Sequence, residues 1–288
     1  MNQLSTSMMR GAEWAANGLL RLYGRALRGL SYPNRVKVGA AVGRGLFARI
    51  PTARKRTFQN LERVAPTFDA RKILRETSDN FGRVLVEETM MTEFLADPAR
   101  FHVGGDGWAD TLDALDAGRG PVIVTAHYGN WEGIRAAIRF AGHQMACVYR
   151  PHNNPHYNAD FVASLHEVDP NAFPKGKEGT RGLVRHLRSG GGVMILADQK
   201  QTGAPLLPFL GHEAETALSP AKLALANDMP LIPAISRRRT DGMSFDVIFG
   251  TPITPSTPEQ MMTDANAQLS DWIMEAPAQW FWFHRRWR

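Results

Sequence analysis

Two hydrophobic periodicities alternate along the second half of the chain. Pro121 to Ala126 is a short apolar run rich in β-branched side chains, bounded by Gly120 and Gly129, which predicts a buried strand. Ile134 to Phe140 returns to helical spacing. Beyond it the pattern predicts a strand over His143 to Tyr149 and helices over Asn158 to Glu167 and Glu178 to Arg188. A glycine-led strand follows over Gly192 to Ala197, then a helix over Ser219 to Ala226 and a strand over Leu231 to Ser236. Phe245, Val247 and Phe249 mark a last, alternating strand, and the proline-rich stretch Gly250 to Pro258 is a loop before a final helix. Such alternation predicts an α/β fold, a mainly parallel sheet covered by helices on both faces.

The first hundred residues read differently. Val36 to Leu46 is rich in small residues and helical. Asp69 to Phe94 predicts one or two helices with Ile73, Leu74, Phe81, Val84 and Leu85 buried. Phe101 to Asp106 fits a short strand before a helix over Trp108 to Ala117. The expected organisation is therefore a helical N-terminal extension over residues 1–100 and an α/β core over 101–288, forming one continuous domain. Within the extension, Leu19, Leu22, Tyr23, Ala26, Leu27 and Leu30 fall on one side of a helical wheel, with Arg21, Arg25 and Arg28 opposite. That pattern fits an interfacial helix on anionic lipid, and equally a surface helix docked on its own domain.

Composition narrows the class. The chain has 288 residues, 43% hydrophobic and 22% charged, as expected of a folded globular protein. A net charge of +6 and a pI near 9.7 favour anionic partners: membrane headgroups, nucleic acid or acidic proteins. Arg54, Lys55 and Arg56 concentrate part of that charge. A single cysteine, Cys147, excludes an internal disulfide framework. No run reaches the roughly eighteen apolar residues of a membrane span, and no signal-peptide pattern is present. Contact with a membrane would then be peripheral.

Chemistry concentrates at predicted strand ends, where open α/β sheets bind their ligands. His127 lies where the Pro121–Ala126 strand stops, and Glu132 where the next helix begins. Across such a corner the two side chains can converge as a dyad, the carboxylate holding the tautomer of an imidazole that takes a proton from a hydroxyl. The alternative is a structural histidine near a helix start, with Glu132 favoured by the helix dipole. Arg150 closes the next strand in Val148-Tyr149-Arg150-Pro151, on the same predicted edge, where a guanidinium holds phosphate or carboxylate. Asp198, Gln199 and Lys200 close the Gly192–Ala197 strand. Lys175 and Arg181 flank the helix start in Lys175-Gly176-Lys177-Glu178-Gly179-Thr180-Arg181, a place for an anion. No G-x-S-x-G elbow, H-E-x-x-H or Walker loop is present. Pro155 between His152 and His156 argues against a helical metal pair, so no metal is expected.

The wording around these residues resembles a known family. Thr125-Ala126-His127-Tyr128-Gly129-Asn130-Trp131-Glu132 is similar to the H-x4-D/E block of the lysophospholipid acyltransferase superfamily, specifically of the lipid A late acyltransferases. Tyr149-Arg150-Pro151, Asp198-Gln199 and Pro208-Phe209-Leu210-Gly211 resemble further blocks, and Gln279-Trp280-Phe281-Trp282-Phe283-His284-Arg285-Arg286-Trp287 resembles the closing signature, whose Trp and Arg also suit a wet–apolar boundary. The resemblance implies an O-acyltransferase moving a fatty acyl chain from acyl carrier protein or acyl-CoA to a hydroxyl of an amphipathic lipid. His127 would be general base and Glu132 its partner. Arg150, Asp198, Gln199, Lys200, Lys175, Arg181 and Asn130 would bind substrate. It implies no cofactor beyond the acyl donor, an anionic membrane surface as partner, no nucleic acid, and a place at the cytoplasmic face of the bacterial inner membrane. Two other readings stay open: acylation of another lyso-lipid or lyso-aminolipid, and a non-catalytic basic module for membrane or nucleic acid.

Overall fold

The computed structural model describes Leu27 and residues 29–287. The amphipathic stretch over residues 19–30 lies outside them except for Leu27, Gly29 and Leu30. Helices come first: α1 (Tyr32–Leu46), α2 (Pro51–Val64), α3 (Ala70–Glu88) and the single turn α4 (Met91–Phe94). Asp69 caps α3, its side chain accepting from the Arg71 and Lys72 amides. The small residues of α1 have a packing reason. A Cβ on Gly82 of α3 would lie 2.1 Å from the Gly39 carbonyl oxygen, and one on Gly43 would lie 2.0 Å from that of Ser78. Glycine lets the two backbones meet.

The core then alternates: β1 (Phe101–Gly104), α5 (Trp108–Asp116), β2 (Val122–Thr125), α6 (Glu132–Phe140), β3 (Met145–Tyr149), α7 (Pro155–Val168), β4 (Ala172–Pro174), α8 (Lys177–Arg188) and β5 (Gly192–Leu196). A separate hairpin, β6 (Leu206–Phe209) and β7 (His212–Glu215), precedes α9 (Ser219–Ala226), β8 (Leu231–Arg238), β9 (Phe245–Phe249) and α10 (Pro258–Glu275). The sheet runs β1-β9-β8-β2-β5-β3-β4, with every neighbour parallel except the β8–β9 pair. That pair is antiparallel because the link Arg239–Ser244 is too short for a crossover helix.

Strand β2 lies in the middle and alternates between two cores. Val122 and Val124 join α8, α9, α10 and the C-terminal tryptophans on one face. Ile123 joins α6, α7 and parts of α1 and α3 on the other. Helices thus cover both faces, and Val122, Ile123 and Val124 are fully buried, as a central parallel strand requires. Leu61 of α2 and Ile73 of α3 pack into the first core, Val36 of α1 and Val86 of α3 into the second.

Two features depart from the sequence reading. Strand β4 and the β6–β7 hairpin were not predicted. The tail from Trp280 is not a wet–apolar boundary, for Trp280, Trp282 and Trp287 are buried in the first core. Among the described residues no helix is long and apolar enough to cross a membrane.

The α1–α3 crossing gives a direct test. Gly82→Val must push the helices apart and should cost about 1–3 kcal/mol of stability by overpacking. Gly45→Ala, in α1 and with nothing nearer than 3.8 Å to the added carbon, should raise the unfolding midpoint slightly. Urea unfolding of both variants reads the difference.

Candidate active site

Register decides which side chains meet. In the parallel β2–β5 pair Thr125 stands opposite Leu196, so the residues two places further, His127 and Asp198, leave the same sheet edge side by side. The Ala197 amide continues the ladder by donating to the Thr125 carbonyl at 2.9 Å. The His127 ring Nδ1 lies 2.7 Å from Asp198 Oδ1. The His127 backbone N–H donates to Oδ2 at 2.9 Å, and Trp280 Nε1–H donates to the same oxygen at 2.8 Å.

Asp198 is buried, and burial by itself would raise its pKa. The facing His127, its two hydrogen bonds and the more distant His284 overcome that and hold the carboxyl well below the usual carboxylate range. An ionised carboxylate only accepts, so Nδ1 carries the proton and the Nε2 lone pair points away from Asp198. This is the protonation geometry of a general base.

The sequence-based pairing of His127 with Glu132 is corrected. Glu132 opens α6, and its carboxylate binds Arg135 of the same helix at 2.7 Å, both side chains being buried. Arg135 in turn donates to the carbonyls of Met145, Leu165 and Asp169. The first turn of the helix has carried Glu132 toward the α7 side, while the neighbouring strand supplies the acid. Trp131 takes the place beside the imidazole, its ring 5.0 Å away edge to face.

Asn130 is also corrected as a substrate contact. It is fully buried, its Nδ2 donating to Glu87 at 2.9 Å and its Oδ1 accepting from the Glu132 amide at 3.1 Å. It shapes the turn and faces no open space. Glu87 completes a bidentate pair with Arg238, both contacts 2.6 Å, and Arg238 also binds Asn80, which donates to the Gly129 carbonyl at 3.0 Å. Gly129 itself has φ +57°, and a Cβ there would lie 1.8 Å from the Ser236 carbonyl oxygen. Only glycine fits.

The remaining expected residues spread along the edge. Arg150 is exposed, one residue past β3 and one strand beyond β5. The unpredicted β4 brings Lys175 to that edge, its amide donating to Tyr149 at 2.7 Å and its Nζ to Gln201 at 3.2 Å. Lys200 is drawn to Glu215 of β7 at 3.1 Å. Arg181 is exposed in α8 and shares no hydrogen bond with the His127–Asp198 pair. Gln199 stands closest, its Nε2 lying 3.3 Å from His127 Nε2.

Sequence reasoning missed the C-terminal contribution. The tail runs beside the turn, with Tyr128 bridging Trp280 and the Phe281 amide donating to the His127 carbonyl at 2.9 Å. It delivers His284, whose ring is 4.9 Å from that of His127 and whose Nε2 is 2.9 Å from Gln199 Nε2. Burial, then the neighbouring His127, push the His284 pKa down to about 3. The aromatic density of the tail was the visible signal, but not its destination. A groove of about 670 Å³ is lined by Arg56, Asn60, Glu62, Arg63, His212, Arg285 and Trp287. Asn60 and Arg56 of α2 bind tail carbonyls and so bring Arg56 to Arg285. A crevice of only about 10 Å³, lined by His127, Asn80, Phe81, Val84, Trp131 and Phe281, has room for about one water.

Comparison with known proteins places the chain among the acyltransferases. A sequence model described as bacterial lipid A biosynthesis acyltransferase matches residues 3–288, and the chain belongs to that family. It is 26% identical over 273 residues to the lipid A biosynthesis lauroyltransferase of Escherichia coli (strain K12), covering 90% of this chain and 87% of the relative. It is also 26% identical over 261 residues to the lipid A biosynthesis palmitoleoyltransferase of the same organism, covering 88% of this chain and 83% of the relative. A lipid A biosynthesis acyltransferase of Shigella flexneri matches to the same extent.

One consequence of the carboxyls crowded at the end of α3 can be measured. Burial, and then Glu132 and Glu87, push the Glu88 carboxyl up to about 8. A carboxyl raised in the folded state favours folding below its unfolded pKa of about 4.3, and that contribution is lost as pH rises through 8. Glu88→Gln should therefore melt a few degrees above wild type at pH 8, with the gain absent at pH 4, in thermal unfolding across pH.

Proposed function

We propose that this acyltransferase moves a fatty acyl chain from an acyl thioester, on acyl carrier protein or coenzyme A, to a hydroxyl of a lipid A precursor. The observation that carries the reading is the His127–Asp198 bond, which fixes the tautomer and leaves Nε2 as the outward base. His127 takes the proton as the hydroxyl oxygen attacks the thioester carbonyl. Asp198 stabilises the imidazolium that forms. Collapse of the tetrahedral intermediate breaks the C–S bond, and the departing thiolate receives the proton from His127. No enzyme thioester takes part. Cys147 lies within β3, where burial pushes its thiol up to about 12.

The surroundings support an anionic substrate group. The groove with Arg56, Arg63 and Arg285 suits a phosphate-bearing part of acceptor or donor. The names of the Escherichia coli relatives favour a lipid A acceptor. Net charge +6 suits peripheral attachment at the cytoplasmic face of the inner membrane. Glu132 supports the turn through Arg135, and Arg150 and Lys175 stand ready on the same edge for anionic substrate groups.

Thiol release and acyl-lipid formation, measured with purified enzyme, acyl carrier protein or coenzyme A donors and lipid A precursor, test the assignment. Asp198→Asn should lower the rate by about 10³–10⁴-fold, approaching His127→Ala, while Glu132→Gln should act first on stability, by about 3–5 kcal/mol, through its unpaired buried arginine. Full activity in Asp198→Asn beside a folded but inactive Glu132→Gln would return the pairing to Glu132. A second set of kinetics addresses the groove. Arg56→Gln with Arg285→Gln should raise KM for a phosphorylated acceptor at least tenfold and leave KM for its dephosphorylated form within about twofold. Equal effects on both would mean that the groove serves the donor or neither.

A further inference from the structure

Gln199 occupies an unusual position. Its single amide nitrogen faces two imidazoles, 3.3 Å from His127 Nε2 and 2.9 Å from His284 Nε2. A carboxamide nitrogen has two N–H groups and no acceptor capacity, so both ring nitrogens receive. His127 Nε2 is able to, because its Nδ1–H goes to Asp198. His284 is able to because its half-buried ring, beside His127, stays neutral. The lone pair of the base is therefore covered by one Gln199 N–H, and the other is tied to His284.

We propose that Gln199 donates to the oxyanion of the acyl-transfer reaction and that His284 is the positioning residue that aims it. The proposal rests on the acyl-transfer reading above. A substrate hydroxyl reaching His127 Nε2 must displace one Gln199 N–H. The shorter contact, to His284, then keeps the amide in place. The released N–H stays beside the nitrogen at which the hydroxyl is deprotonated, and so on the side from which the carbonyl is attacked. There the carbonyl oxygen gains negative charge as the C–O bond forms, before the C–S bond breaks and returns it to a carbonyl. An amide kept beside that position by His284 would need little further reorganisation in the transition state.

Three cationic side chains near the same edge are placed differently. Lys200 is on Glu215. Arg286 is fully buried, with its guanidinium on the Glu215 carbonyl and Thr216 Oγ1. Arg150 is exposed one strand further along the edge. Among the described residues, Gln199 is the side chain hydrogen-bonded to the outward nitrogen of His127.

The test is a double-mutant cycle on the full chain, with kcat and KM for acyl carrier protein donor and lipid A precursor, and folding of each variant checked by circular dichroism and melting. Gln199→Ala and Gln199→Glu should lower kcat by about 10²–10³-fold, as for loss of one oxyanion donor, with KM within about threefold. His284→Ala should lower kcat by a smaller factor, on the order of tenfold, and His284→Gln, which restores an acceptor for the amide, should recover most of it. The decisive reading is that His284→Ala has no further effect in the Gln199→Ala background, because the two act as one unit. A kcat within threefold of wild type in folded Gln199 variants would overturn the proposal while leaving His127-dependent transfer standing. So would a loss confined to KM, or a His284→Ala effect that persists in full without Gln199. Absence of transfer in wild type itself would overturn the acyl-transfer reading, and the role of Gln199 with it.

Discussion

A carboxylate removed from water is destabilising unless its lone pairs are met, and Asp198 is met by three donors from two parts of the chain. The His127 ring and backbone come from the turn after β2, and the Trp280 indole comes from the C-terminal tail. This one buried charge therefore ties together the centre of the sheet, the turn and the tail. It requires the β2–β5 register, since a slip of one residue would send every side chain of one strand to the other face. It also requires the tail to pack with its tryptophans inward. The imidazole is oriented as a consequence.

Behind the turn a second set of buried charges does mechanical service. Glu87 and Arg238 pair bidentately, and Asn130 and Asn80 carry that pair to the backbone of the turn. Glu132 and Arg135 form a parallel arrangement on the α7 side. Breaking a buried pair costs far more than the pair contributes, since a lone charge is left without water. Such networks hold a loop in one geometry, and here they leave Gly129 and His127 little freedom. A turn made rigid from behind can keep its front open to substrate.

The charge of the chain acquires direction in the same way. Arg56 sits in what reads as an ordinary basic run, and Arg285 in a tail that reads as interfacial. Asn60 and Arg56 hydrogen-bond to tail carbonyls, so α2 and the tail become two walls of one groove. Neither stretch identifies the other by composition or periodicity. The contact is set by polar side chains meeting backbone groups that no strand or helix satisfies.

Local pattern determined much of this protein. The period-two and period-3.6 segments marked the main strands and helices, and their alternation determined a helix-covered, mainly parallel sheet. The end of the central strand identified His127, and the next strand ends placed Arg150, Asp198 and Gln199 on the same edge. β4 and the β6–β7 hairpin escaped because short strands carry too few residues to establish a period. Pairing belonged to the tertiary structure. Four residues between His127 and Glu132 looked like contact, yet a helix start turned Glu132 to Arg135, while the β2–β5 register brought Asp198 to the imidazole. The tail delivered Trp280 and His284 to a site begun more than half a chain earlier. Spacing along the chain reports neighbours only within one element. Across elements, hydrogen-bond register and the burial of large side chains decide who meets whom.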